Sequence, residues 1–313
     1  MTRIRWEIGD RLSPLHAARC WASGSLGIDP LLAEKISEPL SQLTKRLAAD
    51  GLDLASFWSR LVVAAASGAG DADACREALS AAGVGELAMD ATASATSTFL
   101  AETRLAYQER FPKSVQQLTL RARPLREQWD AYGAGLLRRI ATQTHESFIP
   151  KNVVCVLLSP YRGGDGDCDT ETSTLWIEAV LTNPVARVPE VLRLAWLVSR
   201  IGIGNRVLST PDVGDSAPTG DAARSAMVVS LAAVPVVLEA AAFLELGPPL
   251  SESPDQIATA VQAWCGQMGP DVVETIGRWW SQSEELKPPF PVALKALDRM
   301  LPGKPSLQWG ATS

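Results

Sequence analysis

The sequence predicts a mainly α fold with a small β element, in which a helical N-terminal part packs on a β-hairpin and a central helix. Three observations predict it. Leu31, Leu32, Ile36, Leu40, Leu43 and Leu47 recur mostly three or four apart, the spacing of one apolar helix face. Asn152 to Leu158 is rich in β-branched residues and bounded by Pro150 and Pro160, as a strand would be. From Pro189 to Ile201 the chain is apolar around most of a helical circumference, which predicts a central, mostly buried helix.

Residues 12–110 read as a helical array. Asp29-Pro30 supplies an N-cap followed by proline at the first helical position, and Gly51 stands where a terminating glycine is expected. Further helices are predicted over 53–66, 71–82 and 91–110, punctuated by Gly68, Gly83 and Pro112. A long helix begins near Leu125 or Trp129, contains Gly133 and Gly135, and reaches His145. The segments Asn152–Leu158 and Thr174–Leu181 read as the two arms of a hairpin, with Gly163 to Asp169 as a mobile acidic loop between them. Helices are expected again at 189–201, 222–246, 254–266, 270–283 and 292–300, with a Pro/Gly/Asp-rich loop over 209–221. The division that results is a helical region, 1–120, and an α+β core region, 121–313.

A chain of 313 residues can bury a full core, and 46% hydrophobic with 20% charged residues is a globular composition. A net charge of −6 argues against a general nucleic-acid binder. Ten tryptophans against three tyrosines and six phenylalanines point to large core fillers, with an aromatic binding surface as the sharper alternative. Cys20, Cys75, Cys155, Cys168 and Cys265 are odd in number and scattered, which suits a reduced, cytoplasmic protein. The first ten residues lack an apolar core of the signal-peptide kind. The longest apolar run, Ala226 to Leu238, is shorter than a bilayer span and is expected to be a buried helix. Neither a membrane nor a nucleic-acid partner is expected, and a protein partner is left as the open class.

The order strand, Asn-Pro turn, Pro189-Glu190-Val191-Leu192 and helix resembles the frame in which gluzincin-type zinc peptidases carry their metal-binding helix. Trp176 to Leu181 matches the strand, and the resemblance covers Trp129 to Ile201. The family's His-Glu-x-x-His would fall at Leu192–Trp196 or at Val198–Gly202, and neither register contains a histidine or a glutamate in the general-base position. Zinc chemistry needs two imidazoles one turn apart and a carboxylate to deprotonate bound water. What the resemblance implies is therefore a peptidase-like fold that cannot bind zinc.

The remaining motifs are weak. Asp165, Asp167, Asp169 and Glu171 alternate as calcium ligands do, but Thr170 and Trp176 stand where an EF-hand needs glycine and glutamate. Gly202-Ile203-Gly204 follows a helix and reads as its stop. His145-Glu146 has the groups for acid–base work but reads as a cap or surface pair. Arg121, Arg123, Arg126, Arg138 and Arg139 read as solvated helix faces with ion pairs to Glu127 and Asp130. The sequence thus assigns no catalytic, cofactor-binding or metal-binding residue and no cofactor. Its leading function is a non-catalytic interaction or scaffold protein. The competing classes are a hydrolase with a site of sequence-distant carboxylates or a serine, and a small-ligand or peptide binder using exposed tryptophan.

Overall fold

Residues Arg3–Ile8 alternate charged and apolar side chains and form strand β1 of the computed structural model, which describes residues 2–25, 27–207 and 219–302. The N-terminal region is therefore not helical throughout. β1 pairs in parallel with β2 (Asn152–Leu158), which pairs in parallel with β4 (Thr174–Glu178). The short strand β3 (Gly166–Asp169) lies outside β4 and runs antiparallel to it, so the spatial order is β1-β2-β4-β3.

This corrects the expected hairpin. Asn152–Leu158 and Thr174–Glu178 are parallel neighbours, and the true hairpin is β3 with β4. Four residues of the expected mobile loop, Gly166–Asp169, are the outer strand of that hairpin. The physical reason lies in burial. Every residue of β4 is buried, as an interior strand with helices on both faces requires, so its sequence lacks the alternation of a half-exposed hairpin arm.

Helices cover both faces of the sheet. On one side lie α1 (Leu12–Ala22), α2 (Pro30–Ala49), α3 (Leu54–Ala66), α4 (Asp71–Ala81) and α5 (Glu86–Arg110). Their apolar faces join Val156, Leu158 and Trp176 of the sheet in one core cluster. On the other side are α6 (Ser114–Arg121), α7 (Arg123–Gln143), α8 (Glu190–Val207), α9 (Thr219–Phe243), α10 (Asp255–Cys265), α11 (Pro270–Leu286) and α12 (Phe290–Met300). They bury Val153, Cys155, Leu157, Leu175 and Ile177. The molecule is mainly α with a small four-stranded sheet at its centre.

The local punctuation acts as its chemistry dictates. The Asp29 carboxylate accepts from the Leu32 amide at the start of α2, and Gly51 adopts φ +70° just beyond its end. Asp53 caps α3 in the same way. α8 runs through Gly202 and Gly204 to Val207 and is not stopped by them. A Cβ at position 202 would lie 1.8 Å from the Phe148 carbonyl oxygen, so this glycine serves close packing against the 3-10 turn Glu146–Phe148.

Most tryptophans are core residues, and all five cysteines are free. α9 exceeds the apolar run read from the sequence: residues Ala223–Phe243 are long and apolar enough to cross a membrane, yet 67% of that window is buried inside the protein. Residues 209–218 of the Pro/Gly/Asp-rich loop lie outside the described residues, and 219–221 begin α9.

Candidate functional site

Glu178 ends β4 and is fully buried, as are His16 and Cys20 on α1. His16 and Cys20 are four residues apart, so one helical turn sets the imidazole and the thiol on the same face. His16 Nε2 lies 2.7 Å from Glu178 Oε1 and 3.7 Å from Cys20 Sγ. Glu178 Oε1 also accepts from the amides of Tyr161 (2.8 Å) and Arg162 (2.9 Å), and its Oε2 accepts from the Gly164 amide (2.8 Å). The loop after β2 is thus wrapped around one carboxylate.

Both pKa shifts favour the charged form of the pair. Burial pushes the His16 pKa down, but Cys20 and Glu178 outweigh it and hold it up at about 10. Burial opposes the charge on Glu178, and His16 together with the loop amides keeps its pKa below the usual carboxylate value. The rings of Tyr161 and Trp176 close over the imidazole, with centroids at 6.0 and 5.5 Å.

Among the described residues His16, Cys20 and Glu178 are the one group of three whose ligand atoms come within reach of a common metal ion. Nitrogen, sulfur and oxygen donors suit zinc in kind. The occupancy of Glu178 does not: Oε1 already takes three donors, leaving only Oε2 with a free lone pair. An ion pair accounts for His16 and Glu178, with the Cys20 thiol in contact with the imidazole at 3.7 Å. Elemental analysis of the purified protein is expected to find no stoichiometric zinc. Zinc at full occupancy, removed by a chelator together with the fold, would make this cluster a structural metal site instead.

The loop held by Glu178 forms one rim of a cleft of about 650 Å³. The other walls are Arg19 and Ser23 from the N-terminal layer, Trp196 and Arg200 on α8, Met227 and Ser230 on α9, and Trp264 to Met268 at the end of α10. Arg200 donates to Asp167 Oδ1 at 2.8 Å and its guanidinium stacks 4.6 Å from the Trp196 ring centroid. Trp196 donates Nε1 to the Ser230 carbonyl and lies 5.6 Å from Trp264, ring to ring. Trp264 Nε1 is buried without a hydrogen-bond partner among the described residues. Burial pushes the Cys265 thiol up to about 12, so it is not poised as a nucleophile at neutral pH.

No family model, curated protein or solved structure matches this chain.

The residues weighed from sequence are dispersed. His145 caps the 3-10 turn, its Nδ1 accepting from the Ser147 amide at 3.1 Å. Asp165 faces Arg162, Asp167 holds Arg200, and Asp169 bonds the hydroxyls of Ser67 and Thr172, so the acidic residues do not converge as calcium ligands must. Arg126 and Arg139 lie over the rings of Trp6 and Phe243 instead of pairing with Glu127 or Asp130. The polar side of α8 is not solvated: Glu190 and Arg193 form a buried pair at 2.9 Å, and Arg193 also donates to the Ala263 carbonyl. Sequence reading missed the His16–Cys20–Glu178 centre. Two signals pointed to it: the helical i, i+4 spacing of the first two, and a lone carboxylate inside the apolar run Leu175–Leu181.

Proposed function

We propose that the protein is a non-catalytic binding protein, on a peptidase-like frame, that holds an acidic and aromatic or apolar segment of a protein partner in the cleft between its two helical layers. The observation that carries this reading is Arg200 on α8. Its guanidinium stacks on Trp196 one turn before it and faces the cleft. An i, i+4 pair on a central helix is the spacing a zinc peptidase gives its two imidazoles. Here the pair offers an indole and a guanidinium that Asp167 already holds through one nitrogen, which is no metal ligand and keeps further N–H donors for a carboxylate. Met227 and Met268, backed by the buried rings of Trp196 and Trp264, supply the apolar surface of the cleft.

The hydrolase reading has less support. The imidazole–carboxylate pair of the molecule, His16 and Glu178, is fully buried away from the cleft surface.

The test is selection of a random displayed peptide library on the immobilised protein, followed by calorimetric titration of the enriched peptides. The expected result is enrichment of acidic and aromatic residues, with Arg200→Met and Trp264→Ala each weakening binding about tenfold or more. Selected peptides should be recovered intact after long incubation. An absence of enrichment, affinities unmoved by Arg200→Met in a folded variant, or cleavage of the peptides would each overturn the proposal.

A further inference from the structure

The two edges of the sheet are finished differently. On β3 the outward amides of Gly166 and Cys168 are taken by the carboxylates of Asp165 and Asp167, at 2.9 and 2.8 Å. That edge is closed by its own side chains. Among the described residues, no side chain closes the outward backbone groups of β1 at the opposite edge in this way. β1 is six residues long and contains no proline, and its three charges, Arg3, Arg5 and Glu7, stand on its exposed face, where they blunt a generic edge and leave pairing to a strand of complementary charge.

The register of β1 shows which groups are open. Arg3 donates its amide to the Lys151 carbonyl and Gly9 to the Leu157 carbonyl, so the odd-numbered residues pair with β2. Ile4 and Trp6, between them, turn their amides and carbonyls away from the sheet. Below this edge, on the side of α7, runs a groove of about 600 Å³ with an apolar floor of Ile4, Trp6, Trp129 and Leu137 and a charged rim of Asp130, Arg138, Glu146 and Lys151. It is placed where an added strand would send its inward side chains. The Trp129 indole folds over Gly133, where a Cβ would come within 2.6 Å of the ring, so only glycine lets it lie this flat.

We propose that β1 pairs antiparallel with β1 of a second copy of this chain, joining two four-stranded sheets into one of eight. The sequence of the strand selects this occupant. With the twofold axis at Trp6, Arg5 stands directly opposite Glu7 of the second copy, twice by symmetry, and Ile4 stands opposite Ile8. Moving the axis to Arg5 keeps two Arg–Glu pairs, Arg3 with Glu7, but sets two arginines against each other at its centre, and a shift by half that step sends the apolar residues to the wrong face. Arg5 and Glu7 are exposed, at 70% and 44%, and pair only with each other at 2.9 Å, so exchanging partners across the axis costs no existing contact to the rest of the molecule. The open groove then receives the second copy's apolar side chains on the α7 side.

Light scattering behind size exclusion tests this, because charge reversal separates the proposal from a general loss of fold. The wild-type chain is expected to run as a dimer that dissociates on dilution. Arg5→Glu and Glu7→Arg are each expected to run as folded monomers. An equimolar mixture of these two variants should recover a dimer, since each then meets its opposite charge, and the double variant R5E/E7R should dimerise alone. A wild-type chain that is monomeric at every concentration overturns the proposal. A dimer indifferent to both reversals also overturns it by placing the interface elsewhere, and so does capture of unrelated β-strand peptides without self-association.

Discussion

Replacing Glu178 with glutamine is expected to destabilise the protein by about 3–5 kcal/mol, the usual cost of breaking a buried ion pair and leaving one charge uncompensated. The carboxylate is fully buried and receives His16 and three backbone amides. An amide in its place sets N–H groups against N–H donors and leaves the imidazole without its anion. Chemical denaturation measures the loss. Amide exchange should report a second effect, faster exchange at Tyr161, Arg162 and Gly164, because those three bonds fix the cleft loop. A loss below about 1 kcal/mol would show that the pair is not the anchor described.

The same pair sets a pH dependence. His16 has a folded pKa of about 10, above its ordinary 6.5, so the native state binds the extra proton between those values. Its contribution is complete below about pH 6.5 and is lost as the pH rises toward 10. The Glu178 pKa is lowered, so its contribution is present above the ordinary carboxylate value and is lost as the pH falls below it. The urea midpoint of the wild type is therefore expected to drop between about pH 6 and about pH 9. In Glu178→Gln that slope should flatten in part, because Cys20, the larger of the two groups that hold the His16 pKa up, remains in place.

Leu194→Ala and Leu197→Ala are the second pair of large effects, each expected to cost about 2–5 kcal/mol. Both side chains are fully buried on α8, the helix packed between the sheet and α9. Leu197 abuts Gly166 of β3, its Cδ1 lying 3.0 Å from where a Cβ would stand, so truncation opens a void next to the cleft wall. A site enclosed by β-strands and a buried helix has little room to collapse, which puts the loss toward the larger values. Leu87→Ala on the exposed face of α5 is the control and should change stability by less than about 0.5 kcal/mol. Equal effects at Leu87 and Leu194 would place α8 at the surface.

The candidate site was only partly legible. Trp196 and Arg200 lie in the helix that the sequence marks as central, but a helical wheel does not say which of Arg193 and Arg200 meets the cleft. The fold decides it: α10 and the Asn183–Pro184 turn close over Arg193 and Glu190, while β3 brings Asp167 to Arg200. The Trp264 wall was out of reach for the same reason, since nothing local ties residue 264 to residue 196.

By itself the sequence determined most of the helices, the Asp29 cap and terminating glycines such as Gly51, though not α6 or the end of α8, because capping and apolar periodicity are local and act within a turn or two of chain. It also determined that residues 152–158 and 174–178 are strands, through their β-branched and aromatic content. Only the tertiary structure decided how those strands pair. One of the two partners of β2 is a strand about 150 residues earlier, and β3, reading Gly-Asp-Cys-Asp, is a strand only because β4 offers it an edge. Strand order is fixed by which helical layer must cover which face, a balance of burial summed over the whole chain. No window of neighbouring residues contains that sum, and the buried meeting of His16 with Glu178, from opposite halves of the sequence, is its direct product.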